Sequence, residues 1–152
     1  MGGQGRSRTL RNGRVSLPGQ IYLVTATTLN RHPVFNQLVL GRLLVREMRQ
    51  ADEAGLVQSL AWGVMPDHMH WLFELRTDAL AGVMRSVKSK AAISVNRASG
   101  REGRLWQDGY YDRAVRREQD VINVARYIIA NPLRAGLVKN VRNYALWDAI
   151  WI

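Results

Sequence analysis

There is no cysteine in these 152 residues, which removes disulfides, thiolate zinc sites and cysteine nucleophiles together. Acidic residues are scarce: 12 Asp and Glu stand against 22 Lys and Arg, a formal net charge of +10. That surplus suits a polyanion, and nucleic acid is the first candidate. No apolar run reaches the roughly 18 residues that a membrane-spanning helix needs. The opening MGGQGRSRTLRNGRVSLPGQ has no apolar core of the kind a secretory signal carries. Internal repeats are missing, and so are low-complexity stretches beyond that first segment. The expectation is a soluble, cytoplasmic protein. With 47 % hydrophobic residues, the chain can fill the core of one domain and has little room for two.

The positive charge falls in clusters. Arg6, Arg8, Arg11 and Arg14 lie among Gly, Ser and Asn with no acid beside them. Residues 1–17 thus read as a flexible basic arm able to lie along phosphates, with a solubilising tail as the plainer alternative. The folded domain is expected over 18–152. A second cluster comprises Arg85, Lys88, Lys90, Arg97, Arg101 and Arg104, opposed by Glu102 alone. A third, Arg113, Arg116 and Arg117, is tempered by Glu118 and Asp120. One such run is commonly a solvated face, but three in a chain this short favour a nucleic-acid partner.

Periodicity gives the elements. Ile21–Thr28 is β-branched and aromatic, follows the turn pair Pro18-Gly19, and reads as a strand. Leu40, Leu43, Leu44 and Met48 recur at helical spacing between Gln37 and Ala51, with Asn36 as N-cap and Gly55 closing the turn. Val57–Met65 is a second strand with Leu60, Trp62 and Val64 on one side. Pro66-Asp67 breaks it, and His68–Leu75 is a third. Leu80, Val83, Met84, Val87 and Ala91 mark a helix to about Ala98, capped by Asp78 or Thr77, ended by Gly100, and carrying Arg85, Lys88 and Ser89 outward. Leu105–Val115 reads as a fourth strand bent at Gly109. Gln119–Ala130 reads as a helix that stops near Asn131-Pro132, because the residue before proline avoids the helical region. A further turn from Pro132 would end at Gly136. This is α+β in the order β-α-β-β-α-β plus one helix: the ferredoxin-like split βαβ, a four-stranded antiparallel sheet with the first two helices on one face.

Two of the three histidines fall in His68-Met69-His70. Alternate strand residues share a face, so both imidazoles point one way while Met69, Trp71, Phe73 and Leu75 point into the core. Adjacent imidazoles on an open sheet face can chelate a divalent ion, although ordinary strand chemistry also yields such pairs. Two ligands are too few, and His32 in the loop after the first strand is one candidate for a third, with a plain surface residue as the favoured alternative. Tyr127 and Asn131 stand four apart near a helix end, hence on one helical face. A phenol with a pKa near 10 attacks phosphate only with help. A metal polarising the phosphate would give it, with Asn131 as a further candidate ligand. Simple packing by Tyr127 and a helix stop at Asn-Pro are the alternatives.

VMPDHMHWLFEL, MRSVKSKAAISVNR and LWQDGYYDRAVRREQDVINVARYIIANPLRAGLV together resemble the REP-associated tyrosine transposases, single-tyrosine members of the His-hydrophobic-His endonucleases. The resemblance runs from about Pro18 to Val138. Its most specific parts are Met65-Pro66-x-His68-x-His70 and Tyr127-Ile-x-x-Asn131-Pro132-x-Arg134-Ala-Gly136-Leu-Val138. It implies the ferredoxin-like fold and a metal-dependent cut in single-stranded DNA beside a REP-type hairpin. By the same resemblance His68 and His70 hold Mg²⁺ or Mn²⁺, and Tyr127 forms a 5′-phosphotyrosine link that leaves a free 3′-OH. Asn131 stands where related transposases often carry Gln. Asp67 is given no catalytic role. The REP-associated branch can be monomeric, so a monomer is expected, with a homodimer as the alternative.

On this reading Arg85, Lys88, Lys90 and Arg97, with the arginine arm, would hold DNA phosphates. Trp62, Trp71, Trp106, Trp147 and Trp151 include candidate stacking platforms, Trp106 first among them, with core or C-terminal packing expected for most. The competing functions are a non-catalytic binder of DNA or RNA hairpins, and a hydrolase in which the histidines activate water and Tyr127 only packs.

Overall fold

The computed structural model describes residues 16–77, 79–134 and 147–149. The basic arm with Arg6, Arg8, Arg11 and Arg14, together with Asp78, Gly136, Tyr144 and Trp151, lies outside the described residues. Chain order is β1 (Ile21–Thr27), α1 (Leu38–Glu53), β2 (Val57–Met65), β3 (His68–Leu75), α2 (Leu80–Ser99), β4 (Tyr111–Val115), α3 (Glu118–Arg134) and β5 (Trp147–Ala149). The strands form one antiparallel sheet ordered β4-β1-β3-β2-β5. The four strands expected from sequence make the ferredoxin-like set, and β5 extends it beyond β2.

Alternation in β3 decides the layering. Met69, Trp71, Phe73 and Leu75 are completely buried, and they join Tyr22, Val24 and Ala26 of β1 in the main core. Leu40, Leu44 and Met48 of α1, and Val83, Met84, Val87, Ala91 and Val95 of α2, close that core from one side. Burying a side chain of this size stabilises by about 1.5–3 kcal/mol. On the opposite face, Val121, Ala125, Ile128 and Ile129 of α3 cluster with Leu60, Ala61, Leu72 and Val115. The face that carries the histidines is therefore partly roofed by α3 rather than open.

Four local expectations change. Leu60 does not share a side with Trp62 and Val64, because the β2–β3 register shifts between Ser59 and Ala61 and turns Leu60 toward α3. This bulge is held from below: Ser59 N–H donates to Asp52 Oδ1 at 2.7 Å, and Ser59 Oγ accepts from Trp71 Nε1 at 2.8 Å. Gln37, not Asn36, is the N-cap of α1. The run 105–110 is irregular and only Tyr111–Val115 is strand, since Gly103 and Gly109 adopt positive φ and Leu105, Trp106 and Tyr110 enter the core from a loop. Finally, α3 passes through Pro132 to Arg134. Proline costs that helix the hydrogen bond to the Ile128 carbonyl, and the carbonyl lies against β2 at Gly63.

At α2 the N-cap differs from the expected residues, while the C-terminal stop is the expected one. Ala79 is the N-cap of α2. Leu80 N–H donates to Ser16 Oγ and Ala79 N–H to Thr77 Oγ1. At the other end Gly100 takes the left-handed conformation (φ +71°) that stops the helix.

Candidate active site

Antiparallel register sets four residues in one row across the α3 face: Gly63 of β2, His70 of β3, Thr25 of β1 and Tyr111 of β4. His68 lies two residues before His70, opposite Thr27. The two imidazoles meet edge to face with centroids 4.9 Å apart. Tyr127 of α3 stands over this row, its ring 6.1 Å from that of His70 and about half exposed. The structure thus brings Tyr127 of α3 to the histidine pair of β3, which lies more than fifty residues away in the sequence. Asn131 is half-buried one turn further along α3.

Each histidine is oriented by a neighbour through Nδ1. His70 Nδ1 is 2.9 Å from Thr25 Oγ1, and His68 Nδ1 is 2.8 Å from Asp67 Oδ1. Asp67 is itself gripped at Oδ2 by Arg31 Nε, 3.0 Å away. Burial pushes the Asp67 carboxyl up. The hydrogen bond and charge of His68, with Arg31 beside it, outweigh that and hold it below the usual carboxylate range. Metal-ligating histidines characteristically have the second nitrogen held by a carboxylate or another polar group. Both of these contacts engage Nδ1, so a metal held by the two rings would take Nε2. Among the described residues no three His, Asp or Glu side chains gather in metal-binding geometry. The two imidazoles are the donors that sit together, and the Asn131 amide oxygen has the chemistry of a further ligand for a hard divalent ion.

The loop after β1 locks the Asp67 turn. Thr28 N–H donates to the Asp67 carbonyl at 2.9 Å, the Thr28 hydroxyl donates to the His32 carbonyl at 2.8 Å with the Asp67 carbonyl 3.1 Å away, and Phe35 N–H donates to the Pro66 carbonyl at 2.9 Å. Asn30 and Arg31 reach this geometry with φ of +56° and +55°. Thr25, Thr28, Arg31 and Asp67 were not singled out as site residues by sequence reasoning. Only the strand register shows that Thr25 faces His70. His32 is exposed in the same loop.

The basic residues divide. Arg85, Lys90 and Arg97 are exposed on α2, in the layer on the far side of the sheet from the histidines. Lys88 does not lie on an outer face. It is half-buried, and its Nζ donates to the carbonyls of Gln107 and Gly109 at 3.1 and 2.6 Å, pinning the loop before β4. Trp106 is no surface platform either: it is buried against Phe35, and its Nε1 donates to the Lys88 carbonyl. Trp62 and Trp71 are likewise buried. Arg113 and Arg116, by contrast, line a cleft together with His70 and Tyr127.

Residues 18–131 match the family model for IS200-like transposases, Y1_Tnp, and so include every site residue named above. The chain belongs to the IS200-like transposase family. Among its relatives, a REP-associated tyrosine transposase of Escherichia coli K12 is 30 % identical over 86 residues, 55 % of this chain and 49 % of the relative. A Haemophilus influenzae protein provisionally given the same name is 26 % identical over 107 residues, 63 % and 61 % of the two chains. The chain thus spans about half to three-fifths of these relatives' length. A solved REP-associated tyrosine transposase bound to a REP hairpin superposes with a TM-score of 0.72 at 23 % identity, covering 88 % of this chain and 79 % of that one. The IS200-like transposase fold is therefore shared with it. Among the described residues no helix is long and apolar enough to cross a membrane.

Proposed function

We propose that this chain is a divalent-metal-dependent endonuclease and strand transferase that cuts and rejoins single-stranded DNA beside REP-type hairpins. The observation that carries the reading is the placement of the Tyr127 ring 6.1 Å from His70, on the face where His68 and His70 stand 4.9 Å apart. Family membership and the names of the relatives supply the substrate class.

In this reading His68, His70 and Asn131 hold Mg²⁺ or Mn²⁺, with Asp67 and Thr25 fixing the rings. The ion, when bound, supplies positive charge to the phosphate oxygens. Tyr127 Oη forms a bond to the scissile phosphorus as the bond from phosphorus to the 3′ oxygen breaks. The phenolic proton is lost, and the leaving 3′ oxygen takes up a proton. A 5′-phosphotyrosine link and a free 3′-OH result, and the reverse attack reseals DNA without a nucleotide cofactor. Holding nucleophile and phosphate in line on one rigid sheet face is the main service of the fold. Exposed Arg85, Lys90 and Arg97, with the arginine arm, would contact hairpin phosphates.

The test is a hairpin oligonucleotide with unpaired flanks, incubated with protein and Mg²⁺ or Mn²⁺. An SDS-stable protein–DNA adduct, absent in Tyr127→Phe, is the expected result. Cleavage that survives Tyr127→Phe would instead make the site a water-activating hydrolase. Tight binding with neither adduct nor cleavage would leave a hairpin-binding protein.

A further inference from the structure

Two aromatic rings stay conspicuously wet. Among the described residues the large hydrophobic side chains left exposed include two aromatics, Tyr111 at 42 % and Tyr127 at 47 %. Both line one cleft of about 630 Å³ between β4 and α3. Tyr127 has its reason in the chemistry proposed above, and Tyr111 has none there. A second cleft of similar volume, between α2 and the 104–110 loop, is also basic. It offers no exposed ring, because Trp106 is buried and the Lys88 ammonium is held by carbonyls.

The position of Tyr111 follows from register. It pairs with Thr25, which pairs with His70, so its side chain rises from the same face two strands away, roughly 10 Å across the sheet. Arg113 follows two residues on, on the same face, and Arg116 lies just past the end of β4. The lining sets these two guanidiniums against one carboxylate, Asp120, with the Asn123 amide beside it. An aromatic face flanked by guanidiniums, opening onto a nucleophile, has the features of a single-strand channel: bases stack on the ring and phosphates pair with the cations. Asp120 and Asn123 add hydrogen-bonding groups for a base edge.

We infer that this cleft seats the unpaired nucleotide adjoining the scissile phosphate, its base stacked on Tyr111 and its backbone held by Arg113 and Arg116. The inference rests on the DNA-cutting reading and adds the path of the strand. It also makes Tyr111, rather than Trp62, Trp71 or Trp106, the stacking platform.

The experiment uses the full chain carrying Tyr127→Phe, so that DNA stays uncut. Its probe is a set of hairpin oligonucleotides with 2-aminopurine at one unpaired flank position at a time. One position should lose fluorescence on binding. Tyr111→Ala should restore that fluorescence and weaken binding about tenfold, while Tyr111→Trp keeps the quench. Arg113→Ala and Arg116→Ala should each lower the slope of log affinity against log salt by about one. A quench that persists in Tyr111→Ala, or no quenched position at all, overturns the inference. The two readings fail separately. Without an adduct from the unsubstituted protein the DNA-cutting reading falls while a Tyr111-dependent quench stands, and an adduct without that quench removes only the seat for the base. Loss of all DNA binding sinks both.

Discussion

Gly63 and Ile128 meet where no further carbon fits. A Cβ at residue 63 would lie 2.9 Å from Ile128 Cγ2 and 3.3 Å from the Ile128 carbonyl oxygen. Gly63 is also the residue paired with His70, and Ile128 follows Tyr127 directly. The height of the candidate nucleophile above the histidine is thus set by the missing side chain of one glycine. Gly63→Ala should cost about 1–3 kcal/mol, the usual range for overpacking a filled site. Adduct formation should fall further than the stability loss explains, because α3 is lifted from the row. Thermal denaturation beside adduct yield checks this, and a Gly63→Ala protein of full stability and full yield would refute it.

Asp67 reaches the site only through His68. Asp67→Ala should weaken Mn²⁺ binding about 10- to 100-fold, the common effect of removing a group that orients a metal-bound histidine. Thr25→Val should act in the same direction through His70. Arg31→Ala should do much less, since that guanidinium is 61 % exposed and its ion pair is worth about 0.2–1 kcal/mol. Calorimetric titration with Mn²⁺ ranks the three, and equal affinities throughout would contradict the arrangement.

Chelation supplies an independent check on the metal. Adduct formation should stop in excess EDTA and return on adding Mg²⁺ or Mn²⁺, while hairpin binding through the α2 arginines persists. A covalent adduct formed at full yield in EDTA would leave the histidines without the proposed role.

Lys88 and Arg85 are three residues apart on α2 and should behave oppositely. Two charge-assisted hydrogen bonds make Lys88→Met costly, by about 2–3 kcal/mol. Arg85→Ala, at an exposed position, should stay within about 0.5 kcal/mol of the parent. It should lower the salt dependence of DNA binding instead. Chemical denaturation and a salt series separate the two effects.

Much of this was legible before any coordinates. The alternation of β3 puts Met69, Trp71, Phe73 and Leu75 on one side and His68 and His70 on the other, and the structure follows it residue by residue. Helix spacing likewise marks α1 and α2. The failures share a physical cause, which is that local pattern does not report tertiary partners. Leu105, Trp106 and Tyr110 look like strand residues because burial selects apolar side chains in loops as well as strands. Pro132 looks like a stop, yet α3 continues past it, with the Ile128 carbonyl that it deprives of a donor placed against Gly63. A three-residue β5 has no period to read. The exposure of Tyr111 becomes visible only once β4 is known to be an edge and its register with Thr25 is set.

The link between β2 and β3 is two residues long, Pro66-Asp67, with Met65 paired to His68 across it. Side chains on a strand change face with every step, so one residue gained or lost at this point would send both imidazoles into the core and bring Met69 and Trp71 out to water. The carbonyls of both turn residues are also tied to the loop after β1. Keeping both imidazoles on the face under α3 therefore requires this hairpin to keep its present length.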